Sequence, residues 1–210
     1  MKFLFILSII LFSLTGCGNS KNNIENSQEN INSVGQKLPV QNISITRTAT
    51  DKNTEHEAEI GHYSSPITLK EEGRQQNISI SCGVLNGTVV PPGETFSFIN
   101  TLGQPTPERG YKKADVFDSR GNIVKGYGGG NCQISSTLYN AVLATPNLTV
   151  VERYEHSRDV YYVPDGKDAA VSYSSNVDFR FRNDTPFAIK IYSSTDTNNV
   201  NISIVKIYYE

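Results

Sequence analysis

The chain has 210 residues, 19% of them charged, with 19 Lys and Arg against 21 Asp and Glu and a formal net charge of −2. That length suits one domain with a substantial core, and the charge balance offers no basic field for nucleic acid. Three cysteines and three histidines, scattered along the chain, supply no metal-ligand spacing, so no metal or cofactor is expected.

Met1-Lys2-Phe3 opens a short apolar run through Leu14, too short for a mature membrane span and shaped like the core of a secretory signal. Leu14-Thr15-Gly16-Cys17 looks like the lipobox of bacterial lipoproteins, in which cleavage precedes a cysteine that is then acylated. The expectation is a signal peptide over 1–16 and a lipid-anchored Cys17. Two or more acyl chains hold a protein stably on a bilayer, here the outer face of a bacterial cytoplasmic membrane. Residues 17–61, rich in Asn, Ser, Lys and Glu, are read as a flexible tether, with a marginal strand over Val40 to Ala49. The domain is then 62–210, expected to be a monomer.

Within it, segment 73–86 fits two patterns: Ile78, Ile80, Cys82 and Val84 alternate like a strand, while Ile78, Cys82 and Leu85 also fit one helical face. Pro91-Pro92-Gly93-Glu94 is a turn before a short strand at Phe96-Ser97-Phe98. Gly128-Gly129-Gly130-Asn131-Cys132 delivers a cysteine to the start of a helix over Gln133–Thr145. Ile134, Leu138, Ala141 and Val142 form the apolar stripe of that helix, and Pro146 ends it. Backbone N–H groups and the helix dipole at that end favour thiolate over thiol, and the three glycines suggest freed space beside it. Leu148–Tyr154, Val160–Val163, Ala169–Tyr173, Asp178–Arg182, Phe187–Tyr192 and Val200–Tyr208 read as strands, the last three as an antiparallel meander. The expected fold class is α+β, with one or two helices packed on a mainly antiparallel sheet and a cysteine at a helix N-terminus. With Cys17 assigned to lipid, Cys82 and Cys132 either form one disulfide or leave Cys82 as a packed core residue.

Gly87-Thr88-Val89-Val90 with Pro92-Gly93-Glu94-Thr95-Phe96-Ser97-Phe98, Glu108-Arg109-Gly110-Tyr111, the run Gly128 to Ala141, Glu152-Arg153, His156-Ser157, Tyr162-Val163-Pro164, Asp168-Ala169 and Phe181-Arg182-Asn183 together resemble the VanW family. The resemblance is ordered over about residues 70–195. It implies a bacterial envelope protein, often lipid- or membrane-anchored, and it favours a helix at 73–86.

Cys132, then His156, then Asp168 follow the chain order of transglutaminase-like and NlpC/P60-like cysteine enzymes, with the last two expected on successive strands. In that arrangement His156 takes the thiol proton and Asp168, with Asp165 as competitor, fixes the imidazole. Asn131, Gln133, Gly129, Gly130 and Arg153 are the candidates for an oxyanion site or substrate contacts. Ser135, Ser136 and Thr137 read as helix-start polar groups, and Glu108 and Arg109 as a structural pair or a cleft lining. Two functions follow: a thiol hydrolase or acyl-transferase acting on cell-wall peptides, or a non-catalytic module that binds peptidoglycan or another envelope component.

Overall fold

The computed structural model describes residues 54–118 and 120–210. The signal segment, Cys17, most of the expected tether and the marginal strand over Val40 to Ala49 lie outside the described residues. Among the described residues no helix is long and apolar enough to cross a membrane.

Among the described residues thirteen elements follow one another: β1 (Glu55–Pro66), α1 (Glu72–Leu85), β2 (Thr88–Val90), β3 (Thr95–Ser97), α2 (Phe98–Leu102), a 3-10 turn (Pro107–Arg109), β4 (Ala114–Phe117), β5 (Ile123–Gly126), α3 (Asn131–Leu143), β6 (Leu148–Glu152), β7 (Arg180–Asn183), β8 (Ile189–Thr195) and β9 (Asn199–Tyr209). They build three antiparallel sheets, ordered β1-β9-β8-β2, β3-β7-β6 and β4-β5. The chain is therefore α+β.

β1 runs beside β9 from Glu55 opposite Tyr209 to Pro66 opposite Asn199. Residues 55–61, which the composition assigns to the tether, are thus the first half of an edge strand. Glu55, Glu57 and Glu59 point outward from it, and Lys190 on β8 pairs with the first two. Where β1 passes α3, a Cβ on Gly61 would fall 1.8 Å from Thr145 Oγ1, so only glycine allows that approach.

The stripe Ile134, Leu138, Ala141 and Val142 of α3 is buried against the sheet that contains β1 and β9. Ile189 and Ile191 of β8 with Val200, Ile202 and Ile204 of β9 supply the inner face. α1 packs on β8 through Ile78, Cys82 and Leu85, so the helical face prevails at 73–86, while Val84 turns to solvent. Cys82 is a core residue, and Cys82 and Cys132 are free thiols, with no disulfide between them.

Two expected strands are absent. Val160–Val163 and Ala169–Tyr173 are irregular, apart from one bridge between Ser172 and Val177. In the second segment the backbone of Ala169 pairs instead with the start of α3: Ser135 Oγ donates to Ala169 O at 2.5 Å, and Ala169 N donates to Ser136 Oγ at 2.9 Å. Tyr162, Val163 and Ala169 are buried there, so their apolar content reflects a covering layer rather than a ladder. The expected meander is also corrected, because β8 and β9 form a hairpin while β7 lies between β3 and β6. The buried Asn183 amide donates to Val90 O and Phe187 O, both at 2.9 Å, and carries the chain from one sheet to the next.

Candidate functional site

The site begins at the turn before α3. Gly130 caps the helix with φ of 108°, a backbone conformation that favours glycine. A Cβ there would meet Ile78 Cγ1 at 2.7 Å, and one on Gly129 would meet Ala114 Cβ at 2.7 Å and Asp115 O at 2.9 Å. The glycines therefore press the turn against α1 and β4. The space expected beside the thiol is filled by those neighbours.

One polar ridge on α1 seats this turn. Arg74 Nη2 donates to Gln133 Oε1 at 2.7 Å, Asn77 Nδ2 donates to Gly129 O at 3.1 Å, and Ser81 Oγ donates to Asn131 Oδ1 at 2.7 Å. All three are buried. Gln133 Nε2 donates onward to Ser65 Oγ and Pro66 O. Gln133 thus has its amide fully engaged and serves as an anchor rather than as an oxyanion donor. The ridge escaped the sequence reading, although Arg74, Asn77 and Ser81 share one face once 73–86 is taken as a helix.

Cys132, half-buried, is the second residue of α3 and its Sγ lies 3.5 Å from Val171 O. Asn131 N donates to Gly128 O, and Gln133 and Ile134 N–H both reach Gly130 O. Among the described residues, the Cys132 N–H is the first-turn donor without a backbone acceptor outside the helix.

His156 and Asp168 come together in the irregular segment between β6 and β7, not on two strands. Asp168 Oδ2 faces His156 Nδ1 at 2.5 Å and also accepts from the His156 backbone N–H at 2.7 Å. With Nδ1 held in this way, Nε2 makes no hydrogen bond among the described residues, and the imidazole is near enough to Cys132 for each to shift the other's ionisation, while the hydrogen-bond contact of the Cys132 Sγ itself is Val171 O. Asp168, rather than Asp165, is the partner of His156.

Arg153 lies behind this pair. It donates from Nη2 to Asp168 Oδ1 at 2.9 Å and from Nε to Asp168 O at 2.6 Å, and it stacks 5.1 Å from the Tyr139 ring centre. Arg153 therefore positions Asp168.

The Ser135-Ser136-Thr137 hydroxyls are all taken up internally, by Ala169 O, Cys132 O and Gln133 O. Arg109 donates to Leu102 O and Gln104 O, a structural role. Beside His156 a polar cavity of about 80 Å³ opens between Glu155, Arg158, Asp159, Asp165 and Asp168.

The charges reinforce one another. Burial pushes the Cys132 thiol up, but the hydrogen bond and charge of His156, with smaller contributions from the Val171 backbone and the Arg74 guanidinium, outweigh it and hold the thiol below its ordinary value. Burial pushes His156 down, and Cys132 and Asp168 more than reverse this. Burial also pushes Asp168 up, yet the His156 backbone N–H and ring hold its carboxyl low. A lowered thiol beside a raised imidazole is the direction of a thiolate–imidazolium pair. Cys82, by contrast, is pushed up to about 11 by burial.

The fold and site together define a small α+β domain with a thiol, an imidazole and a carboxylate clustered at a helix N-terminus. The chain belongs to the family described as VanW like protein, which matches residues 73–205 and so takes in Cys132, His156 and Asp168 but not β1. Two relatives align with it. Uncharacterized protein YoaR of Bacillus subtilis (strain 168) is 44% identical over 125 residues, 60% of this chain and 40% of that protein. Vancomycin B-type resistance protein VanW of Enterococcus faecalis (strain ATCC 700802 / V583) is 30% identical over 137 residues, 63% of this chain and 49% of that protein. The chain spans less than half the length of these relatives. No solved structure matches it.

Proposed function

We propose that this protein is a lipid-anchored, cysteine-dependent hydrolase or acyl-transferase acting on amide bonds of cell-wall peptides at the outer face of a bacterial cytoplasmic membrane. The carrying observation is the locked imidazole: Asp168 binds both the ring and the backbone of His156, and the imidazole and the Cys132 thiol shift each other's ionisation in the direction of an ion pair.

His156 takes the thiol proton, and the sulfur attacks the amide carbonyl carbon. The oxyanion forms near the positive end of α3, where the Cys132 N–H is available. The imidazolium then returns its proton to the departing amine, leaving a thioester that water or a second amine resolves. The Leu14-Thr15-Gly16-Cys17 motif supports the anchor, and the name of the Enterococcus faecalis relative supports an envelope substrate and a link to glycopeptide resistance.

The test incubates the full-length protein with purified cell-wall peptides and reads broken or newly formed amide bonds by mass spectrometry. Cys132→Ser removes turnover, and His156→Ala lowers it by about 10²–10⁴-fold, the usual worth of a positioned acid–base group. Tight peptide binding with no turnover by the unaltered protein would replace the enzyme with a binding module.

A further inference from the structure

Arg74 is a buried guanidinium in a place where a counter-charge is missing. It sits in the first turn of α1 with 7% of its surface exposed. Among the described residues its one side-chain hydrogen bond is from Nη2 to the neutral Gln133 Oε1, and no carboxylate pairs with it. Nε is buried with no acceptor. Nη1 makes no hydrogen bond among the described residues. Arginine stays charged at any working pH, and a buried unpaired charge is destabilising unless an anion completes it.

The location is informative. Gln133 follows Cys132 directly, and the Arg74 carbonyl lies 3.4 Å from where a Gly130 Cβ would stand. Arg74 therefore touches the turn that presents the thiol from both sides of its own residue. A second buried donor at this turn, Asn131 Nδ2, also lacks an acceptor among the described residues. Nearby, the exposed Tyr161 and the buried Tyr162 both feel the Arg74 charge. Guanidinium donors in a fixed fork match a carboxylate better than any other common biological anion except phosphate, and peptides end in carboxylates.

We infer that Arg74 forms a carboxylate subsite beside Cys132, where it receives a carboxylate of the peptide whose amide meets the thiol. The inference rests on Cys132 being a reactive thiol, as proposed above. It narrows the substrate class to peptides with a free carboxylate close to the reacting bond, and it separates Arg74 from a role confined to thiol ionisation.

Iodoacetate and iodoacetamide test this. Both lose iodide to a thiolate sulfur and are nearly the same size, so thiol ionisation affects both rates equally and their ratio isolates the carboxylate. The full-length protein is treated with each, and modified cysteines are located by peptide mass mapping. At Cys132 the iodoacetate-to-iodoacetamide ratio is expected to exceed that of free cysteine by about tenfold, the scale of one charge-assisted hydrogen bond. Acetate should protect Cys132 from iodoacetamide.

Arg74→Gln should return the ratio to that of free cysteine, and Arg74→Lys should keep part of the preference. Because Arg74→Gln removes an internal anchor as well, His156→Ala provides a second measurement. A preference that survives His156→Ala comes from Arg74 and not from the imidazolium. A ratio equal to that of free cysteine, or one unchanged by Arg74→Gln, overturns the subsite while the reactive thiol stands. Inertness of Cys132 to both reagents overturns the thiol reading and the subsite together.

Discussion

Replacing Asp168 with asparagine changes one atom and should disturb the whole site. Three donors converge on the two carboxylate oxygens: the His156 ring, the His156 backbone N–H and Arg153 Nη2. An amide offers one oxygen and one NH2 group. If the oxygen faces His156, the NH2 group meets the Arg153 guanidinium, and if it faces Arg153, the NH2 group meets two donors of His156. Either arrangement loses at least one charge-assisted bond, and the Arg153 and Asp168 side chains are only 16% and 10% exposed. The expected loss is about 2–4 kcal/mol, between the worth of one hydrogen bond to a charged group and the removal of one partner from a buried pair.

Urea unfolding at pH 7 reads that loss as a lower midpoint for Asp168→Asn. The pH dependence has a fixed sign. The folded carboxyl is held below its unfolded value of about 3.9, so its contribution is fully present above that value and is lost as pH falls through the lower folded one. The gap between the parent and Asp168→Asn should therefore persist at pH 5 to 7 and close in strong acid. The imidazolium also loses its counter-ion, so the Cys132 thiol should rise and alkylate more slowly at pH 7. Equal stability within about 0.5 kcal/mol, the scatter of surface substitutions, together with unchanged alkylation, would refute this account of Asp168.

Leu138→Asp places an unpaired charge at a position with no exposed surface; it should cost several kcal/mol and unfold a domain of ordinary stability, as circular dichroism on heating would show. Gly129→Ala should lose about 1–3 kcal/mol through the contacts with Ala114 and Asp115. Gly128→Ala, whose added Cβ meets only Pro105 Cγ at 3.8 Å, should be close to neutral in the same melt. Cys17→Ala should move the protein from the membrane fraction to the soluble fraction or leave it as uncleaved precursor, and unaltered membrane recovery would remove the anchor.

The helix at α3 is legible because its stripe, the glycines before it and Pro146 after it all point the same way. β8 and β9 are legible for a similar reason, since each is a β-branched run with a break between. Segment 73–86 is not, because Ile78 to Val84 satisfy both periods, and what decides it is tertiary: Arg74, Asn77 and Ser81 are needed on one face to hold the cysteine turn. Residues 55–61 read as tether because their carboxylates dominate the composition. Their strand exists only through pairing with β9, far along the chain.

Val160–Val163 and Ala169–Tyr173 mislead for the converse reason. Their β-rich composition serves burial over α3, with side-chain hydroxyls in place of a neighbouring strand at Ala169. In the site, the order Cys132, His156, Asp168 is visible in the sequence, but the choice of Asp168 over Asp165 is not. That choice depends on a loop closing on itself through the His156 backbone N–H. Gln133 and Arg153 look like substrate contacts by residue type, and only their partners show them to be internal.

The central claim is that Cys132 is ionised by His156, and the most direct measurement is the pH dependence of iodoacetamide alkylation at Cys132 in the folded, full-length protein, followed by peptide mass mapping. The account predicts a midpoint below the roughly 8.5 of a free cysteine, a shift upward in His156→Ala, and slower reaction of the buried Cys82 throughout. A Cys132 midpoint at or above that of a free cysteine, unmoved by His156→Ala, would contradict it.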